Sequence, residues 1–126
     1  MDNIIYKVVN KWSGSCTVPR MSDYYLIYDK GTIVTAIKGS LGIMCFENER
    51  CAANFSRYFL SVGVYKILKV RGIGDAHYPP KISSMYVRNS FEISPLTAFY
   101  EHWAHPSWYV SPPKGTVCYL QVEVLT

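Results

Sequence analysis

Two histidines three residues apart, His102 and His105, stand in the run Tyr100-Glu101-His102-Trp103-Ala104-His105-Pro106-Ser107-Trp108-Tyr109. On one helix face that spacing can hold a metal ion. Pro106 works against it, because a proline ring pushes the preceding residue, here His105, out of helical backbone geometry. No third ligand is evident beyond Glu101 and the distant His77, so neither a metal nor another cofactor is expected. The rings carry the better chemistry. Phe99, Tyr100, Trp103, Trp108 and Tyr109 outnumber what one short helix needs for docking, and flat side chains of this kind stack on nucleotide bases.

A second motif, Arg71-Gly72-Ile73-Gly74-Asp75, places Gly-x-Gly after a strand-like run. Glycines there let backbone N–H groups approach a phosphate, but the third glycine and the helix of a dinucleotide fingerprint are missing. A tight turn is the plainer reading, with the planar fork of Arg71 still able to reach an anion. Arg57, on a helix face away from its apolar stripe, and Arg20, Lys38 and Arg88, in loops or at strand ends, add cations that matter only if they converge on one cleft. Nucleophilic catalysis needs a serine or cysteine beside a positioned base, and nothing local to Cys16 or Cys118 provides one. The four cysteines, Cys16, Cys45, Cys51 and Cys118, form no Cys-x-x-Cys. They read as small buried thiols in a reducing compartment.

The chain that must position these groups has 126 residues, the size of one domain. Its 49% hydrophobic and 17% charged residues suit a folded globular protein. The net charge of +4 favours anionic partners, yet it is too small and scattered for duplex nucleic acid. No apolar run reaches the roughly 18–20 residues that span a bilayer. Met1-Asp2-Asn3 does not look like the start of a signal peptide, so a cytoplasmic location is expected.

Residues 41–70 read strand, capped helix, strand. Asn48 suits a helix N-cap, Glu49 suits the positive end of the helix dipole, and Cys51, Phe55 and Phe59 recur at helical spacing as one apolar stripe. Upstream, residues 4–12 predict a first strand. Residues 24–28 and 32–37 predict a hairpin about Asp29-Lys30-Gly31. Downstream, the prolines of His77-Tyr78-Pro79-Pro80 mark residues 71–80 as an extended surface loop. Residues 85–88 predict a short strand, and Ser94-Pro95 opens a second helix. Residues 116–125 form the last strand, with Val117, Tyr119, Val122 and Val124 as buried positions. The fold class expected is α+β: a single compact domain over residues 1–126, with a twisted, mainly antiparallel sheet, one principal helix (about 48–60) and a short second helix (about 95–103).

Ile5-Tyr6-Lys7-Val8-Val9, Tyr28 with Gly31, residues 42–46 followed by Glu47-Asn48-Glu49 and Ala52-Ala53-Asn54-Phe55, and Pro113-Lys114-Gly115-Thr116-Val117 with Val122 resemble a family of small uncharacterised phage and prophage proteins. The likeness covers about three-quarters of the chain and implies a fold and a viral origin. More distantly, the first strand, the glycine-led second strand and the helix are similar to the ADP-ribosyltransferase-like fold. That likeness implies a dinucleotide-gripping residue at Lys7 and an acid at Glu123. Lys7 replaces the Arg or His of those enzymes.

These readings combine into an expected ligand-binding set of Lys7, Tyr25, Arg57, Arg71, Arg88, His102, Trp103, Trp108 and Tyr109, with no catalytic residue. The expected function is that of a viral accessory protein which binds and sequesters a phosphorylated nucleotide signal of host defence, in the host cytosol, with a homo-oligomer as a possible state. One alternative is a protein-binding inhibitor of a host defence enzyme. Another is an ADP-ribosyl-type enzyme, or its degenerate relative, using Lys7, Tyr25 and Glu123.

Overall fold

The computed structural model describes residues 3–15, 25–37, 42–59, 65–80, 82–83 and 109–126, with the backbone alone for residues 58, 59, 82, 83, 109 and 110. Eight strands and one helix follow in the order β1 (Ile4–Asn10), β2 (Ile33–Thr35), β3 (Ile43–Phe46), α1 (Glu49–Phe59), β4 (Tyr65–Ile73), β5 (Ile82–Ser83), β6 (Tyr109–Val110), β7 (Thr116–Tyr119) and β8 (Gln121–Val124). Six strands form one antiparallel sheet in the order β2-β8-β4-β1-β3-β7, and β5 pairs with β6 separately. The α+β class holds, weighted toward strand. The expected second helix and the 85–88 strand fall outside the described residues.

The pairings close on themselves. β7 and β8 are one run of chain interrupted only at Leu120, yet β7 bonds to β3 and β8 bonds to β4. Because β1 pairs with both β3 and β4, the sheet curls into a small barrel. Alternation along each strand then divides the side chains between two apolar layers. Ile5, Val9, Ile43, Cys45, Leu68, Val70, Val117, Tyr119, Val122 and Val124 fill the interior, with Tyr28 and Val34. Val8, Met44, Phe46 and Cys118 face outward and are covered by Cys51, Ala52 and Phe55 of α1.

The helix forms where the sequence puts it. Asn48 Oδ1 accepts from the Cys51 amide at 2.9 Å, the expected N-cap bond. Cys51 and Phe55 are buried, and Phe55 meets Phe46 with ring centroids 5.1 Å apart.

Three expectations need correction. The segment before the Asp29-Lys30-Gly31 turn does not pair with residues 32–37. The Tyr28 amide donates to Ser13 O, Gly14 bridges Ile27, and β2 pairs instead with β8. Tyr28 and Val34 both serve the barrel interior, so the two segments are drawn to different neighbours. The last strand is two strands, because its halves bond to different partners either side of Leu120. The first strand stops at Asn10 and not at residue 12, since the Asn10 side chain folds the chain into a turn.

The Gly-x-Gly motif is also displaced from the loop assigned to it. Arg71, Gly72 and Ile73 belong to β4, and the turn begins only at Gly74, whose φ is +86°. Gly72 is needed for space: a Cβ there would lie 2.4 Å from the Tyr119 ring, which folds across β4 where the barrel closes. Gly72→Ala is therefore expected to cost roughly 1–3 kcal/mol by overpacking. Denaturant unfolding monitored by circular dichroism checks this, and an unchanged midpoint would contradict it.

Candidate ligand-binding surface

The expected site residues separate into three places. Lys7 lies inside the barrel and is only 6% exposed. Its Nζ donates to Met44 O at 2.9 Å and stands 5.4 Å from the Tyr28 ring centroid, within range of a cation–π attraction. The reason is local. β1 and β3 share one registered pair, Tyr6 with Phe46. On the other side of β3, Met44 lies opposite Cys118, whose amide and carbonyl both bond to His77. In an antiparallel ladder one residue sends both backbone groups to the same side, so the Met44 carbonyl turns toward β1, where the ladder has parted. The Lys7 ammonium fills that seam. The lysine expected to grip a ligand is a buried splint.

Arg71 stands on the outer face of β4, where its Nη1 donates to Glu123 Oε1 of β8 at 2.7 Å. Lys7 and Glu123 thus lie on opposite faces of the barrel wall, and the Lys7, Tyr25 and Glu123 arrangement of an ADP-ribosyl-type site is not assembled. Arg57 is exposed in the last turn of α1, where a cation also complements the helix dipole. Arg88, His102, Trp103 and Trp108 lie outside the described residues. Tyr109 begins β6, with backbone alone described.

Tyr25 belongs to a third place, the end of the barrel where β1 stops. Its hydroxyl accepts from Asn10 Nδ2 at 2.8 Å, while Asn10 Oδ1 accepts from the amides of Trp12 and Gly14, both at 2.9 Å. Ser13 holds a φ of +65° in the same turn. One asparagine side chain therefore fixes a projecting tip, which carries Lys11 and Trp12. Trp12 is 58% exposed, and the Lys11 ammonium sits 4.7 Å from its ring centroid. Exposed Ile27 lies alongside, across from Gly14. Tyr65 pairs with Asn10 and Lys66 with Val9, which brings the start of β4 to this end.

Arg71, registered with Ile4 at the far end of the β1–β4 ladder, stands roughly 20 Å from the tip at strand spacing. The tip itself went unassigned from the sequence. Its signal is Asn10-Lys11-Trp12-Ser13-Gly14: turn-forming residues bracketing a tryptophan immediately after a strand.

The remaining titratable groups point away from nucleophilic chemistry. Burial pushes the Cys45 thiol up to about 12 despite the nearby Lys7 ammonium, and burial likewise pushes Cys118 up to about 12. Both stay protonated at neutral pH, and a thiol rather than a thiolate is a poor nucleophile. A hydrogen bond to Glu47 raises the exposed Tyr78 hydroxyl, and burial raises Tyr119. Among the described residues no three His, Cys, Asp or Glu side chains gather as metal ligands, and no helix is long and apolar enough to cross a membrane.

Compared with family models, curated proteins and solved structures, the chain matches none.

Replacing Lys7 separates a splint from a ligand contact. Lys7→Met keeps an unbranched stem one atom shorter but leaves the Met44 carbonyl unsatisfied in the seam, and is expected to destabilise by about 1–3 kcal/mol. Denaturant melts measure this. Unchanged stability in the variant would return Lys7 to the list of ligand contacts.

Proposed function

We propose that the chain is a small binding protein of the phage accessory type, which takes up a phosphorylated nucleotide signal of host defence in the host cytosol and withholds it without turning it over. The observation that carries this reading is the tip: an indole 58% exposed, with a lysine ammonium 4.7 Å from its centre, on a turn fixed by the three hydrogen bonds of Asn10. An exposed ring on a turn held in place offers a base a stacking surface. Lys11 supplies charge for the attached phosphate, and Lys66, registered with Val9, adds positive charge toward the same end. The net charge of +4 favours the same class of ligand.

Holding rather than transforming agrees with the chemistry of the described side chains. Cys45 and Cys118 are buried and protonated, and Glu123 is committed to Arg71. Ile27, 57% exposed beside the tip, favours a second reading. In it Trp12 and Ile27 anchor a host defence enzyme, since buried aromatic and aliphatic anchors dominate protein interfaces.

Incubation with a panel of cyclic and linear nucleotides, followed by heat release and mass spectrometry, tests the first reading. Intact ligand should be recovered. Trp12→Ala should weaken binding about 5- to 150-fold, as loss of one base–aromatic stack of about 1–3 kcal/mol implies. Recovery of an altered product would overturn sequestration. Absence of nucleotide binding, together with a co-purifying host protein lost on Trp12→Ala, would select the second reading.

A further inference from the structure

β2 is the outermost strand beyond β8. Its backbone divides cleanly between two sides. The Val124 amide donates to Thr32 O, and the Ala36 amide donates to Leu120 O. Even-numbered residues therefore turn their amide and carbonyl toward β8. By the same alternation Ile33 and Thr35 turn theirs to the opposite edge. Among the described residues nothing pairs with that edge.

Its side chains do not protect it. Proteins commonly blunt an open edge with lysine, proline or a bulge. Ile33-Val34-Thr35 has none of these, and all three residues are β-branched. Val34 is buried toward the interior, whereas Ile33 is 59% exposed and Thr35 is exposed beside it. On the adjoining outer face Arg71 and Glu123 pair with each other.

We propose that this edge pairs with the same edge of a second copy, antiparallel, about a two-fold axis through Val34. The register is self-complementary. Ile33 of one copy lies opposite Thr35 of the other, so all four outward backbone groups on each strand find partners. The two Ile33 side chains become diagonal neighbours within contact range. A ladder this short is far smaller than a standard stable interface, so the dimer is weak and concentration-dependent. It does not involve the Lys11–Trp12 tip.

Sedimentation velocity across a concentration series, from micromolar to millimolar, tests this. The wild-type chain should shift from monomer to dimer. Ile33→Lys, a change at an exposed side chain, should remain monomeric with unchanged circular dichroism and thermal midpoint. Thr35→Pro, which removes one outward amide and keeps the backbone bonds to β8 while losing the Gln121 Nε2 bond to Thr35 Oγ1, should weaken association at least tenfold, with circular dichroism confirming that the fold is retained. Trp12→Ala should dimerise as the wild type does, whatever becomes of nucleotide binding. A wild-type chain monomeric throughout, leaving the edge to some other strand, would overturn the proposal. So would a dimer that persists in both edge variants, or one lost in Trp12→Ala.

Discussion

The architecture rests on one run of chain that has to serve two walls. Residues 116–119 bond to β3, and residues 121–124 bond to β4. Only the bend at Leu120 allows both. Once that bend is made, the sheet has no choice but to close, and every alternate residue on its strands is committed to an interior. Two local devices make closure tolerable. Gly72 leaves room for the Tyr119 ring, and Lys7 reaches across the place where β1 and β3 part to bond the Met44 carbonyl. An unsatisfied carbonyl in that position would cost more than an ordinary hydrogen bond contributes, because it is cut off from water. A buried lysine is thus explained by backbone geometry.

A closed frame changes where recognition can occur. Among the described residues, the interior is filled and one outer layer is covered by α1, which leaves the ends of the barrel and its exposed wall open to contact. The described residues put their most distinctive exposed group at the end where β1 stops. There a single asparagine organises the Lys11–Trp12 tip, and the start of β4 brings Lys66 to the same end. The opposite end of the β1–β4 ladder holds Arg71, already neutralised by Glu123. This division, with a ring and unneutralised charge at one end and a balanced pair at the other, agrees with a binding role at the first.

Much of this was legible in the residues themselves. Asn48, Glu49, Cys51 and Phe55 announce a helix and its buried face, and all behave accordingly. Val117, Tyr119, Val122 and Val124 are buried as their pattern indicates. What could not be read was pairing between distant segments. Alternation tells a strand its faces but not its neighbours, so β2 was matched to residues 24–28 across an adjacent turn when its partner lies at the end of the chain. The same blindness put Gly72 in a loop, since nothing local reveals the ring of Tyr119 above it. Lys7 illustrates the sharpest limit: a charged residue between apolar ones suggests a surface or a site, and its burial follows only from a gap in a ladder made by other strands. Trp12 was overlooked for the converse reason. A strand-like run continues into it, and only the side-chain bonds of Asn10 turn the chain outward.

The central claim is that β7 and β8, joined only through Leu120, tie both walls of a closed barrel together. Hydrogen–deuterium exchange of the native protein tests it most directly. Closure predicts that the bonded amides of β7 and β8 exchange together, with protection equal to that of the paired amides of β1 and β4. If β7 and β3 exchanged rapidly while β8, β4 and β1 remained protected, the wall would open independently at Leu120 and the closed barrel would be contradicted.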